Sequence, residues 1–141
     1  AGLHPMAETN RFLILLLQGE SFAIPITSLL EITVPRNIQR DQKLSEIFEG
    51  KFDYRGKMIP VINLKKVLKL PGNPGGGLIV VKSSKGVLGL LVDAAKELLE
   101  TAQKPFPMPR GVLNPSLNYY AGILRNREDL VLLLNEDGLL P

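Results

Sequence analysis

Few residues in this chain are of types that could run a reaction, and they do not gather in the sequence. His4 is the only histidine, and cysteine is absent. His4 falls in residues 1–10, a stretch that reads as a disordered tail. That leaves no histidine placed for acid–base work or for activating a serine, and it removes most zinc sites. The serines lack the strand-to-helix elbow that presents a nucleophile. Gly75-Gly76-Gly77 runs into Leu78 with no Lys-Ser or Lys-Thr behind it, so it reads as a flexible linker and not as a phosphate-binding loop. Glu128-Asp129 falls in a turn, and Asn135-Glu136-Asp137 has the form of a helix start. The expectation is a protein that is not an enzyme, with no bound metal.

What remains is the chemistry of contact. Glu31 sits between Leu30 and Ile32. Pointing inward it needs a partner; pointing outward it is a solvated glutamate on an alternating strand. Arg55-Gly56 reads as a hairpin tip, with Gly56 supplying a positive φ. Between Asp53 and Asp93 there is no acidic residue, while Arg55, Lys57, Lys65, Lys66, Lys69, Lys82 and Lys85 all fall there. Such a stretch suits nucleic acid or an acidic protein surface, and the plainer reading is a solvated face. A small nucleic-acid-binding barrel is the weaker alternative. Aromatic residues are only 6% of the chain, and Phe52 and Tyr54 are the only pair at strand spacing near the basic residues, whereas base stacking needs aromatic platforms.

The elements that would position these residues are short. Residues 12–17 and 22–26 flank Gln18-Gly19-Glu20-Ser21 and read as a hairpin. Residues 27–30 read as a helical turn, 31–34 as a third strand stopped by Pro35, and 36–46 as a loop. Residues 47–54 and 57–62 form a second hairpin around Arg55-Gly56. Pro60 has no amide donor, which places its strand at an edge or beside a bulge. Residues 64–70 read as a short helix, and the Pro- and Gly-rich residues 71–77 are the strongest linker signal in the chain. Residues 78–81 and 87–92 make a third hairpin. Residues 101–117, with Pro105, Pro107, Pro109 and Pro115, form a long loop. Residues 119–124 and 130–134 make the last hairpin, and 135–140 a closing helical turn.

These elements repeat. Gly50, Arg55, the run 58–62, Asn63 and Leu68 recur as Gly122, Arg127, the run 130–134, Asn135 and Leu140, 72 residues later. Residues 22–32 line up with 88–98 at an offset of 66, which places Gly89 on Ala23 and Glu97 on Glu31. Two halves of about five closely spaced strands each favour small barrels. A half of about 70 residues buries too little surface to stand alone, so the two are expected to share a core and exchange strands. Apolar residues at successive positions imply that both faces of the strands are covered. The fold class expected is all-β, two interlocked five-stranded barrels with short helical turns. One domain would span residues 11–141, with barrel one over about 11–70, a linker at 71–77 and barrel two over about 78–141.

Composition agrees with a single globular domain: 141 residues, 45% hydrophobic, 22% charged and a formal net charge of +3. No apolar run approaches the ~20 residues of a membrane helix, and residues 1–10 lack the layout of a signal peptide. A cytoplasmic location is expected.

The segment Ile47-Phe48-Glu49-Gly50-Lys51-Phe52-Asp53-Tyr54-Arg55-Gly56-Lys57-Met58-Ile59-Pro60-Val61-Ile62-Asn63-Leu64 resembles the CheW-like domain. The family pattern there is a Gly, a short strand ending in Asn-Leu-Arg-Gly, and a strand of the form Val-Ile-Pro-Val-Ile-Asp-Leu. Residues 86–93 resemble the family's second-barrel hairpin, which ends in Val-Asp. Residues 120–123 with 130–135 resemble its final hairpin. The resemblance covers roughly residues 10–140. Asp53-Tyr54 stands in place of Asn-Leu, and Asn63 and Asn135 stand where Asp is common.

The resemblance implies that the barrels are SH3-like. It implies an adaptor coupling the cytoplasmic tips of methyl-accepting chemoreceptors to the regulatory domain of a CheA-type histidine kinase, in chemotaxis or a related chemosensory pathway, without catalysis or cofactor. Glu31 matches a commonly acidic position, and Gly50, Arg55 and Gly56 match the signature. In the family these positions bear on partner contact and on the integrity of barrel one. An ion pair between Glu31 and Arg55 is expected, with weaker coupling between their counterparts Glu97 and Arg127.

Overall fold

Strands form wherever a short aliphatic run is bounded by residues that turn the chain. The computed structural model describes residues 9–107 and 118–140. His4 and most of the expected tail, and the part of the long loop that holds Pro109 and Pro115, lie outside the described residues. The strands are β1 (Asn10–Leu17), β2 (Glu20–Pro25), β3 (Leu29–Thr33), β4 (Phe48–Tyr54), β5 (Lys57–Asn63), β6 (Gly77–Ser83), β7 (Gly86–Val92), β8 (Ala94–Thr101), β9 (Tyr120–Asn126) and β10 (Asp129–Leu134). The helical elements include α1 (Leu64–Val67) and 3-10 turns at Ile26–Ser28 and Glu136–Gly138.

The hairpins turn on residues with positive φ. Gln18 and Gly19 have φ 51° and 76°, and Arg55 and Gly56 have 51° and 84°. Two successive left-handed residues match the right-handed twist of the flanking strands. Asp53 accepts from the Gly56 amide at 2.8 Å and holds the second tip closed.

Two five-stranded sheets result, ordered β8-β1-β2-β10-β9 and β3-β6-β7-β5-β4. The repeat explains the orders. Replacing β1, β2, β8, β9 and β10 by their counterparts β6, β7, β3, β4 and β5 turns one order into the other. Each sheet has one parallel contact at the equivalent place, β2 with β10 and β7 with β5. The sheets therefore interlock. The β1–β2 hairpin from the first half joins β8, β9 and β10, and the β6–β7 hairpin joins β3, β4 and β5. Neither sheet coincides with residues 11–70 or 78–141, and the stretch 71–77 joins two elements on the same side, α1 after β5 and β6.

The core has three layers. Phe12, Ile14, Ala23, Leu124, Val131 and Leu133 fill the first barrel-like sheet, and Phe52, Ile59, Val61, Leu78, Val80 and Leu91 fill the second. Between them lies a shared layer to which both sheets contribute, among others Leu13, Leu15, Phe22 and Ile24 from one and Ile62, Ile79, Val81 and Leu90 from the other. Alternation along β1 sends Phe12 and Ile14 one way and Leu13, Leu15 and Leu17 the other. That is why strand faces without a polar side appear in the sequence.

Some local expectations shift. The 3-10 turn takes Ile26–Ser28, and β3 starts at Leu29 because Leu29 already pairs with Val81. The helix after β5 stops at Val67. Of the two places expected for Pro60, it takes the second: β5 lies between β4 and β7, and the β4–β5 ladder has a register shift between Phe48 and Gly50, next to the Lys51–Pro60 pair. Pairing with β7 begins only at Val61, so the missing amide of Pro60 falls just before that ladder.

Candidate interaction surface

Gly50 is where the 36–46 loop crosses β4. Gln39 and Lys51 exchange backbone hydrogen bonds of 2.8 Å in both directions. Gly50 has φ 146°, and a Cβ there would collide with the Gln39 carbonyl. The matched glycine does the same work. Phe106 and Ile123 exchange bonds of 2.8 and 2.9 Å, and a Cβ on Gly122 would lie 2.8 Å from the Phe106 oxygen. Gly50 is thus the point where a strap of backbone touches a strand.

Arg55 and Gly56 form the tip of the β4–β5 hairpin. The Arg55 guanidinium carbon lies 5.2 Å from the centroid of the Tyr54 ring, within reach of a cation–π attraction. Glu31 lies on β3, at the far end of the same sheet. The barrel brings these ends together: Glu31, Arg36, Asn37, Asp53, Tyr54 and Arg55 line one cleft of about 240 Å³. Glu31 and Arg55 share this cleft but form no ion pair, which corrects the expected contact. Arg55 is held over its own neighbour at a left-handed turn position instead. At the equivalent seam Glu97 accepts from the Asn126 side chain at 3.0 Å, beside Arg127 rather than from it.

The opposite face of β3 is apolar. Leu30, Ile32 and Val34 alternate along β3 and beyond it at 38%, 50% and 57% exposure, and Met58 is exposed on β5. Large aliphatic side chains set in line on a terminal strand make a surface suited to another protein.

A second cluster was not marked by the sequence reading. Lys65, on α1, is 3% exposed in its side chain. Its ammonium donates 2.5 Å to Asp93 and 2.7 Å to the Asn73 carbonyl. The other Asp93 oxygen accepts from the Gln18 amide at 2.8 Å. Burial works to raise the Asp93 pKa, but the bonds from Lys65 and Gln18 outweigh it, and the carboxyl is held below the usual aspartate range. Lys65 belongs to the basic stretch 55–85, so that stretch is not one solvated face. The only available signal was its place after the buried Leu64. Tyr120 shifts the other way: burial, then Glu20 and Tyr119, raise its phenol above the ordinary value. Among the described residues no group of three or more His, Cys, Asp or Glu is placed to hold a metal ion, and no helix is long and apolar enough to cross a membrane.

A family model described as the CheW-like domain matches residues 11–141. The chain belongs to the CheW-like domain family. Chemotaxis protein CheW of Helicobacter pylori is 27% identical over 137 residues, covering 94% of this chain and 82% of the relative. Chemotaxis protein CheW of Klebsiella aerogenes is 26% identical over 135 residues, covering 93% and 81%. The crystal structure of the scaffolding protein TtCheW from Thermoanaerobacter tengcongensis has the same fold, with a TM-score of 0.85 at 23% identity over 94% of this chain and 92% of that one. The four residues expected to carry the signature do two structural jobs. Gly50 and Gly56 shape the backbone, and Glu31 and Arg55 line an exposed cleft.

Proposed function

We propose that this chain is a non-catalytic cytoplasmic adaptor that holds a CheA-type histidine kinase regulatory domain and the cytoplasmic tip of a methyl-accepting chemoreceptor. The observation that carries the reading is the family match over residues 11–141. The cleft of Glu31, Arg36 and Arg55, together with the exposed Leu30, Ile32 and Val34 along β3 and Met58 on β5, is the contact surface assigned to one of these partners. The aliphatic strip supplies apolar burial, and the two guanidiniums select a carboxylate-bearing partner. Gly50 and Gly56 hold the strap and the hairpin tip that frame the cleft. The experiment is isothermal calorimetry of this chain against the regulatory domain of the host's kinase. Binding of about micromolar affinity, as in transient signalling contacts, is expected. No heat and no binding at high concentration overturns the reading.

A further inference from the structure

The two sheets meet through an apolar layer, and such a layer is close-packed but not directional. Polar contacts cross that boundary more than once: at the β6–β7 tip the Ser84 amide donates 2.7 Å to Asp137 and the Lys85 ammonium 3.0 Å to the Leu140 carbonyl, both exposed, and a further cluster centres on the buried Lys65. Asp93 is the single residue between β7, in one sheet, and β8, in the other. Its amide donates to the Leu16 carbonyl of β1 at 3.0 Å, and its carboxylate accepts from the Gln18 amide at the tip of the β1–β2 hairpin. Lys65 reaches the same carboxylate from α1, directly after β5 of the opposite sheet, and also ties down the Asn73 carbonyl of the 71–77 stretch. The side chain of Gln18 lies so close to Gly72 that a Cβ there would collide with it. Among the described residues three polar side chains are buried, Ser28, Asn63 and Lys65, and of these only Lys65 is charged. The other ion pairs, Arg40–Glu49, Lys51–Asp41 and Lys66–Glu49, have well exposed cations.

We infer that the Lys65–Asp93 pair is the buried, charged joint that fixes the angle between the two sheets, and that Lys65 is a positioning residue for the partners held at the two ends of the molecule. The apolar layer supplies attraction without choosing an orientation. The joint supplies directed bonds from one lysine to a carboxylate fixed on the opposite hairpin, and these bonds are made at one sheet angle only. The consequence is functional because the cleft at β3 and β4 belongs to one sheet, and the equivalent seam at β8 and β9 belongs to the other. The angle between sheets is then the angle between the two surfaces an adaptor presents. This inference rests on the adaptor reading for its purpose, but its test does not use a partner, so failure of kinase binding and failure of the joint are separate results.

The absence of cysteine makes the measurement direct. Spin labels placed at Lys82→Cys on β6 and Arg125→Cys on β9, both exposed and on opposite sheets, report the sheet-to-sheet distance by pulsed electron resonance. The parent chain should give one narrow distribution. Lys65→Met should roughly double its width while the strand spectrum in the far ultraviolet is kept, as expected for a joint released between packed layers. Lys65→Arg, which keeps charge and donors, should restore the narrow distribution. The double variant Lys65→Met with Asp93→Leu separates positioning from stability. It should recover melting temperature, since an apolar pair can replace a buried ion pair, yet remain broad because Gln18 and Asn73 have lost their partner. A folded Lys65→Met chain with the parental distribution overturns the inference, and so does a double variant that recovers both readouts. Where Lys65→Met fails to fold, the near-isosteric Asp93→Asn decides the matter by the same distribution.

Discussion

Asn63 and Asn135 make the same backbone bond in the two halves: each amide donates over 2.7 Å to the carbonyl just before the partner strand, Ile47 before β4 and Tyr119 before β9. Their side chains then part. Asn63 accepts from the Lys66 amide, capping α1, and donates 2.9 Å to Glu49. Asn135 donates 3.1 Å to the Asn118 carbonyl. Glu49 requires a donor at position 63. Asn63→Asp therefore sets a carboxylate against a carboxylate, and a loss of about 1–3 kcal/mol is expected from the broken, largely buried contact. Adding Glu49→Gln should return part of it. Urea unfolding of the three chains checks both statements.

Gly50→Ala should destabilise far more than Gly56→Ala. The first meets the Gln39 carbonyl and must lift the strap from β4, whereas the second has nothing within 4 Å and only a strained φ of 84° to bear. The handedness penalty at Gly56 is about 1–2 kcal/mol, and the added clash puts Gly50→Ala at roughly 3 kcal/mol or more. Equal midpoints in chemical denaturation would count against this account of the strap.

Asp93→Asn removes the charge that answers a buried lysine. Breaking such a pair costs about 3–5 kcal/mol when both groups are buried. Asp93 is 36% exposed in its side chain, and solvent screening lowers the figure to roughly 2–3 kcal/mol. Acid should do the same to the parent chain. The folded Asp93 pKa lies below its unfolded value, so the unfolded chain takes up the proton first. This contribution to stability is present above about pH 4 and disappears as pH falls through the folded pKa. Between pH 5 and pH 2, Asp93→Asn should lose less stability than the parent, as measured by thermal melts.

Arg55→Glu should weaken kinase-domain binding at least tenfold, about 1.4 kcal/mol, with little change in melting temperature, because Arg55 is exposed at a hairpin tip. A double-mutant cycle between Glu31 and Arg55 on folding should show coupling below about 1 kcal/mol, as for exposed charges that share a cleft without contact. Strong coupling would mean that the two close into a pair in solution. Calorimetry and melting of the single and double variants give both numbers.

Much of this molecule was legible along the chain. Gln18-Gly19 and Arg55-Gly56 turn as residues tolerant of positive φ turn, and aliphatic runs between such turns become strands whose two faces are both buried. The 72-residue echo of Gly50, Arg55 and Asn63 announced two equivalent units, and in the structure Gly50 and Gly122 stand under equivalent straps. These are local properties: turn geometry, residue size and alternation act over a few residues and need no knowledge of distant partners.

Tertiary structure alone decided the rest. The β1–β2 and β6–β7 hairpins have matching patterns, so either sheet offers each a fitting face, and only long-range pairing assigns β1–β2 to β8 and β10. Pro60 can sit inside a sheet because the β7 ladder starts one residue later. Glu31 and Arg55 share a cleft without pairing because a left-handed turn carries Arg55 over Tyr54. Lys65 looks like any surface lysine in sequence, and it is buried because Asp93 is delivered to it at the one-residue link between β7 of one sheet and β8 of the other. A charge acquires its partner through space, and the sequence orders residues along one dimension only.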